Sequence, residues 1–182
     1  IASYYNTSLD LTCELGLYGQ IEDYTIFIET EGKPQANFEA AGSTFCTGES
    51  VSFTDLSLEN PTSWFWEFEG GNPATSDQQN PSGIVYDIPG DYEVTLTVEN
   101  TEGISSFTIE NIVEILPSPQ TLVSFTDASC GGSDGQIDLT VYGGELPYTY
   151  LWSNGSTDQD LNNVMGGEYQ VTITGNNSCE FT

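Results

Sequence analysis

The chain has 182 residues, with 28 acidic side chains against one cation, Lys33, for a formal net charge of -27, and it contains no histidine. Phosphate recognition needs clustered lysine and arginine, so nucleic acid and anionic membrane surfaces are excluded as partners. Without histidine, neither a Ser-His-Asp nor a Cys-His catalytic constellation exists.

Hydrophobic residues make up 37% of the chain and aromatics 12%, enough to build packed cores. The acids are scattered among β-forming residues and form no run, which describes a solvated surface. With almost no internal cations the folded chain repels itself, and salt or divalent cations relieve that repulsion. Such a protein suits a salty or calcium-containing medium. No transmembrane run and no signal-peptide pattern is present. Ile1 is not an initiator residue, so a processed product or a fragment is expected, with any export signal upstream.

Helical periodicity is almost absent. Short alternating stretches bounded by Gly, Asn, Asp, Ser and Pro predict an all-β fold of tandem immunoglobulin-like β-sandwiches joined by short proline-containing linkers. Residues 1–31 are too few to bury a core. They are expected to be the last strands of an incomplete domain, with TIFIE after Asp23 among them, or strands donated to another chain. GKPQ at Gly32 to Gln35 marks the first boundary. SVSFTDL, SWFWEFE, IVYDI, DYEVTLTVEN and SSFTIENIVEIL predict a sandwich over 35–116. LPSPQ, Leu116 to Gln120, reads as a short, stiff linker. QIDLTVYG, YTYLWS and EYQVTITG predict a second sandwich over 120–182.

The densest chemistry lies in SWFWEFEGG. Strand alternation puts Trp64, Trp66 and Phe68 on one face and Phe65, Glu67 and Glu69 on the other. The first set is a core stripe, and the glycines turn the chain. Phe65, alone among acids on the outward face, is the candidate for contact with a partner. Glu67 and Glu69 are a pair of carboxylates, but nothing in the sequence forms the cleft that would hold one protonated, so catalysis is not expected.

Calcium needs six to eight oxygens from carboxylates and carbonyls. The loop DASCGGSDG offers Asp127 and Asp134 with Ser129 and Ser133, and STDQD offers Asp158 and Asp160. These aspartates are the candidate calcium ligands, although none sits in the D-x-[DN]-x-[DN]-G pattern. The competing role of Asp134-Gly135 is a hairpin turn. The four cysteines, Cys13, Cys46, Cys130 and Cys179, form no CxxC pair, and with no histidine a structural zinc cluster is not expected. An even count in a β-rich chain favours disulfides and an oxidising, extracytoplasmic location.

Three stretches resemble known families. YGQIEDYTIFIE, Tyr18 to Glu29, resembles the C-terminal end of a GEVED domain, with Gln20 in place of one acid. CTGESVSFTDLS followed by SWFWEFEGG and PGDYEVTLTVEN resembles a PKD domain, whose W-D-F-G-D-G turn is altered here to Trp66-Glu67-Phe68-Glu69-Gly70-Gly71. CGGSDGQIDLTVYGGELPYTYLWSNGSTDQDLNNVMGGEYQVTITGNNSCEF resembles an SprB-type repeat of gliding-motility adhesins. That order of modules is similar to secreted Bacteroidetes proteins exported by a type IX system. The resemblance implies a Cys130–Cys179 staple across the last module, which leaves Cys13 and Cys46 to bond across the Pro34 boundary, or Cys13 to pair with an upstream residue. It also implies a non-catalytic extracellular module of a cell-surface adhesin or fibre, making protein or glycan contacts. The alternative is an accessory region of a large secreted hydrolase, a peptidase or polysaccharidase. Self-assembly into a filament by strand donation from residues 1–29 is a further expectation.

Overall fold

The computed structural model describes residues 3–6, 27–30 and 32–182. The GEVED-like run Gly19 to Tyr24, and Cys13, lie outside the described residues. β1 (Ser3–Asn6) and β2 (Phe27–Thr30) form an antiparallel pair. The first sandwich comprises β3 (Phe38–Ala40), β4 (Thr44–Cys46), β5 (Ser50–Val51), β6 (Phe53–Asp55), β7 (Ser63–Phe68), β8 (Thr75–Ser76), β9 (Ile84–Val85), β10 (Gly90–Asn100) and β11 (Gly103–Leu116). The second comprises β12 (Pro119–Thr126), β13 (Gly135–Gly143), β14 (Thr149–Trp152), β15 (Leu161–Val164), β16 (Val171–Thr174) and β17 (Glu180–Phe181). There is no helix among the described residues.

In the first sandwich a five-stranded sheet, ordered β4-β11-β10-β7-β8, faces the short pairs β3-β6 and β5-β9. In the second, β12-β13-β15 faces β14-β16-β17. Both arrangements are immunoglobulin-like, and each sandwich has its own core.

The two cores use the same two devices. A buried tryptophan fills each: Trp66 donates its indole N–H to the Gln78 carbonyl at 2.8 Å, and Trp152 donates to the Asp158 carbonyl at 2.8 Å. Without those acceptors a buried indole N–H would be left unpaired. A tyrosine then locks each corner. Tyr92 donates its hydroxyl to the Ile88 carbonyl at 2.7 Å, and Tyr169 donates to the Met165 carbonyl at 3.0 Å. These are tyrosine corners, in which a side chain fixes the entry of the chain into its strand. GDYEVTLT and GEYQVTIT carry the device in the sequence.

One core group is out of register with its surroundings. Tyr86 is fully buried, and its hydroxyl has no hydrogen-bond partner among the described residues. Burial, with Tyr92 beside it, pushes its pKa up from 10.0 to about 12. A raised phenol pKa means that the folded state resists ionisation. Its contribution to stability is therefore complete below pH 10 and declines as pH climbs from 10 towards 12. Tyr86→Phe should stabilise the first sandwich by about 1 kcal/mol, since it removes a buried unpaired polar group. It should also flatten this alkaline decline. Thermal melts of both proteins between pH 8 and pH 12 check this, and an unchanged alkaline slope would count against it.

The structure corrects the expected cysteine pairing. Cys46 is bonded to Cys179, across the two sandwiches, at a sequence separation of 133. Cys130 is exposed and free. Neither Cys130–Cys179 nor Cys13–Cys46 forms, because Cys46 ends β4 at the same end of the first sandwich where β11 leaves for the second. Proximity there is set by the parallel pairing of β4 with the end of β11, Thr44 opposite Glu114 and Cys46 opposite Leu116.

The linker is correspondingly shorter than the proline spacing suggests. Only Pro117 and Ser118 lie between β11 and β12. Both are held from opposite sides: the Ser118 N–H donates to Thr47 Oγ1 at 3.0 Å, and Asn177 Nδ2 donates to the Pro117 carbonyl at 2.8 Å. Thr47 also donates its backbone N–H to the Leu116 carbonyl at 2.9 Å. The disulfide and these bonds tie the sandwiches into one junction.

Candidate contact surface

Strand β7 is built as its alternation dictates. Trp66 and Phe68 are buried, packed on Phe53 with ring centroids 5.8 and 5.1 Å away. Trp64 is only half-buried, at the end of the stripe, where its indole N–H donates to Asp55 Oδ2 at 2.7 Å and so links β7 to β6 in the facing sheet. Burial pushes the Asp55 carboxyl up, but hydrogen bonds from Ser57, Gln79 and Trp64 together outweigh it and hold the group below the usual carboxylate range. The turn after β7 needs its glycines. Gly70 has φ +68, and a Cβ there would meet the Tyr92 ring at 2.3 Å.

The outward face of the five-stranded sheet carries Phe65, which is 48% exposed. Phe65 lies opposite Thr97 on β10, and Thr97 lies opposite Ser106 on β11. Thr97 Oγ1 donates to Ser106 Oγ at 3.1 Å, and the Thr95 and Thr108 hydroxyls are 2.7 Å apart in the next row. The result is two rows of hydroxyls beside one exposed aromatic ring, with Glu67, Glu99 and Ile104 on the same face. Glu67, Glu69 and Glu93 line a shallow depression at the edge of the same sheet, beside Thr75 and Thr95. All three glutamates are exposed, so the depression does not enclose them.

A second surface was not expected from the sequence. β12 is an edge strand, and Leu122 and Phe125 on its opposite faces are 65% and 72% exposed. Phe125, Val123, Ile137, Met165 and Tyr169 line a cleft of about 300 Å³, with Asp127 and Gln136 at hand. Its sequence signal was present: QTLVSFT is an uncharged, β-prone run in a very acidic chain. It lies directly after the proline-marked linker, Leu116 to Gln120, and just ahead of the strands expected in the second sandwich.

Three of the nominated calcium ligands each have their own hydrogen-bond partner. Asp134 Oδ1 accepts from the Ser129 N–H at 2.7 Å, and hydrogen bonds from Ser129 hold its carboxyl low. Asp160 Oδ1 accepts from the Leu139 N–H at 2.9 Å, and Asp158 Oδ2 lies 3.4 Å from Ser156 Oγ. Asp127 is exposed at the cleft. Among the described residues no three acidic or cysteine side chains converge in a way that fits a metal ion. Nor is Asp134-Gly135 a left-handed hairpin turn: the positive φ belongs to Gly131, at +73. Gly135 is needed for close approach, since a Cβ there would lie 2.9 Å from the Val164 carbonyl oxygen on β15.

No curated protein matches the chain. Among solved structures, a solution NMR structure of a Methanosarcina mazei protein is 26% identical, with 59% of this chain and 70% of that one covered and a TM-score of 0.36. A structure described in terms of the promiscuous specificity of carbohydrate-binding modules of the β-sandwich superfamily is 17% identical, covering 82% of this chain and 80% of that one, with a TM-score of 0.40. The N-terminal four Ig domains of Dscam1 isoform 4.44 are 13% identical over 87% of this chain and 49% of that one, with a TM-score of 0.29. At the level of family models, residues 31–115 match the PKD domain and residues 122–157 match the SprB repeat.

Proposed function

We propose that this chain is a non-catalytic module of a secreted cell-surface adhesin or fibre, which spaces neighbouring modules and contacts protein or glycan. The observation that carries this reading is the junction. Two sandwiches of PKD and SprB-repeat type, each with its own core, are tied end to end by Cys46–Cys179 and by the bonds of Thr47 and Asn177 to the linker. A disulfide of this kind suits an oxidising compartment outside the cytoplasm. Phe65 supplies the contact. An exposed ring among threonine and serine hydroxyls and carboxylates can stack on a sugar face while its neighbours bond the sugar hydroxyls.

Beads coated with the full oxidised chain, applied to a glycan panel and to protein-coated surfaces, test this. Binding above that of an equally acidic, unrelated sandwich is expected, and Phe65→Ala should weaken it about tenfold, the equivalent of about 1.4 kcal/mol. Binding no better than the unrelated protein would sink the contact reading. Equal binding by the variant would remove Phe65 from it.

A further inference from the structure

We propose that the Cys46–Cys179 disulfide is a force bypass, which makes the two sandwiches a single inextensible link when the chain is pulled along its length. It deepens the spacer reading above, and rests on that reading only for the source of the tension. The bond closes a loop with a sequence separation of 133. Inside the loop lie every strand from β5 to β16, the Pro117–Ser118 linker and both buried tryptophans. Outside it, among the described strands of the two sandwiches, are only β3, β4 and β17.

The placement of the two cysteines makes this a load path. Cys46 is the last residue of β4, and β17 begins at the residue after Cys179. Tension arriving through β4 therefore crosses the sulfur–sulfur bond and leaves through β17, without entering β7, β10, β13 or β16. Without the bond, the same tension would run in series through β11, Pro117–Ser118 and β12, and each sandwich would have to resist it alone. Hydrogen-bonded strands part under loads that a covalent bond survives, and forced unfolding is governed by how fast those strands give way. The bonds of Thr47 and Asn177 to the linker hold the two ends of the bypass side by side.

Single-molecule pulling on the full chain, with handles at Ile1 and Thr182, tests the proposal. Each residue of extended chain contributes about 3.4 Å, so the loop conceals roughly 450 Å of contour length. Oxidised wild type should extend by roughly 450 Å less on complete unfolding than the same protein reduced with a dithiol, or than Cys46→Ser. Even an unfolded Cys46→Ser chain reports its contour length, so a folding defect does not blur the comparison. Equal extension in oxidised and reduced protein would overturn the bypass, as would a peptide map joining Cys179 to Cys130. Either result leaves the bead-binding outcome standing, so the failures of the two proposals are distinguishable.

Discussion

Serine in place of Cys46 is expected to lower the stability of the oxidised chain by about 4–5 kcal/mol, as loop-closure entropy gives for a loop of more than about a hundred residues. For a chain of this size that is a fall in melting temperature of roughly 10–20 °C. The cause lies mainly in the unfolded chain, which loses a constraint linking residues separated by 133 positions. The junction is weakened as well, because Thr47 and Asn177 then hold the linker by hydrogen bonds alone. Cys130→Ser should leave the melt unchanged, since that thiol is exposed and bonded to nothing. Melts of the three proteins under non-oxidising handling, after disulfide formation is complete, make the comparison. A large loss with Cys130→Ser would mean that Cys179 pairs within its own module after all.

Trp66→Ala should cost the first sandwich about 3–5 kcal/mol, the usual range for removing a buried tryptophan. Trp66 is 0% exposed, and its ring lies 5.1 Å from Phe38 and 6.0 Å from Phe68. Truncation opens a cavity among these rings and also strands the Gln78 carbonyl, which accepts the indole N–H. Trp66→Phe should cost less, because it keeps part of the packing, although it too loses the bond to the Gln78 carbonyl. The second sandwich has a separate core around Trp152, Leu139 and Ile173, so its own transition should persist in the Trp66→Ala melt. Fluorescence of the remaining indoles and near-ultraviolet dichroism follow the two transitions. Phe65→Ala, one position away on the wet face, should change stability by no more than about 0.5 kcal/mol. A loss at Phe65 as large as that at Trp66 would mean that the faces of β7 are reversed.

The legibility of these features in the sequence follows their range. Alternation in SWFWEF places Trp66 and Phe68 inside and Phe65 outside because the side-chain period of a strand is local and fixed. The long strands β10 and β11 were legible for the same reason. Short strands were not: β3, β4, β8, β15 and β17 run for two to four residues, too few to show a period. β12 was hidden by the opposite problem. It begins at Pro119, inside the stretch expected to be linker, and only pairing with β13 shows that a strand starts there. The buried tryptophan and the corner tyrosine recur in both modules, and that repeated pattern is readable once two sandwiches are superposed in the mind.

Composition by itself determined which side-chain chemistries this chain lacks. With one cation and no histidine, the chain has no Lys/Arg cluster to neutralise phosphates and no imidazole for histidine-dependent catalysis. Local periodicity determined the fold class and the inward face of β7. Tertiary structure alone decided the partner of Cys46, the hydrogen-bond partner of Asp160, and the cleft beside Phe125. Each of these depends on which distant segments meet. Spacing along a chain does not encode that, because the meeting is set by strand pairing between distant segments: β4 with the end of β11 at Cys46, and β12 with β13 and β15 around the cleft.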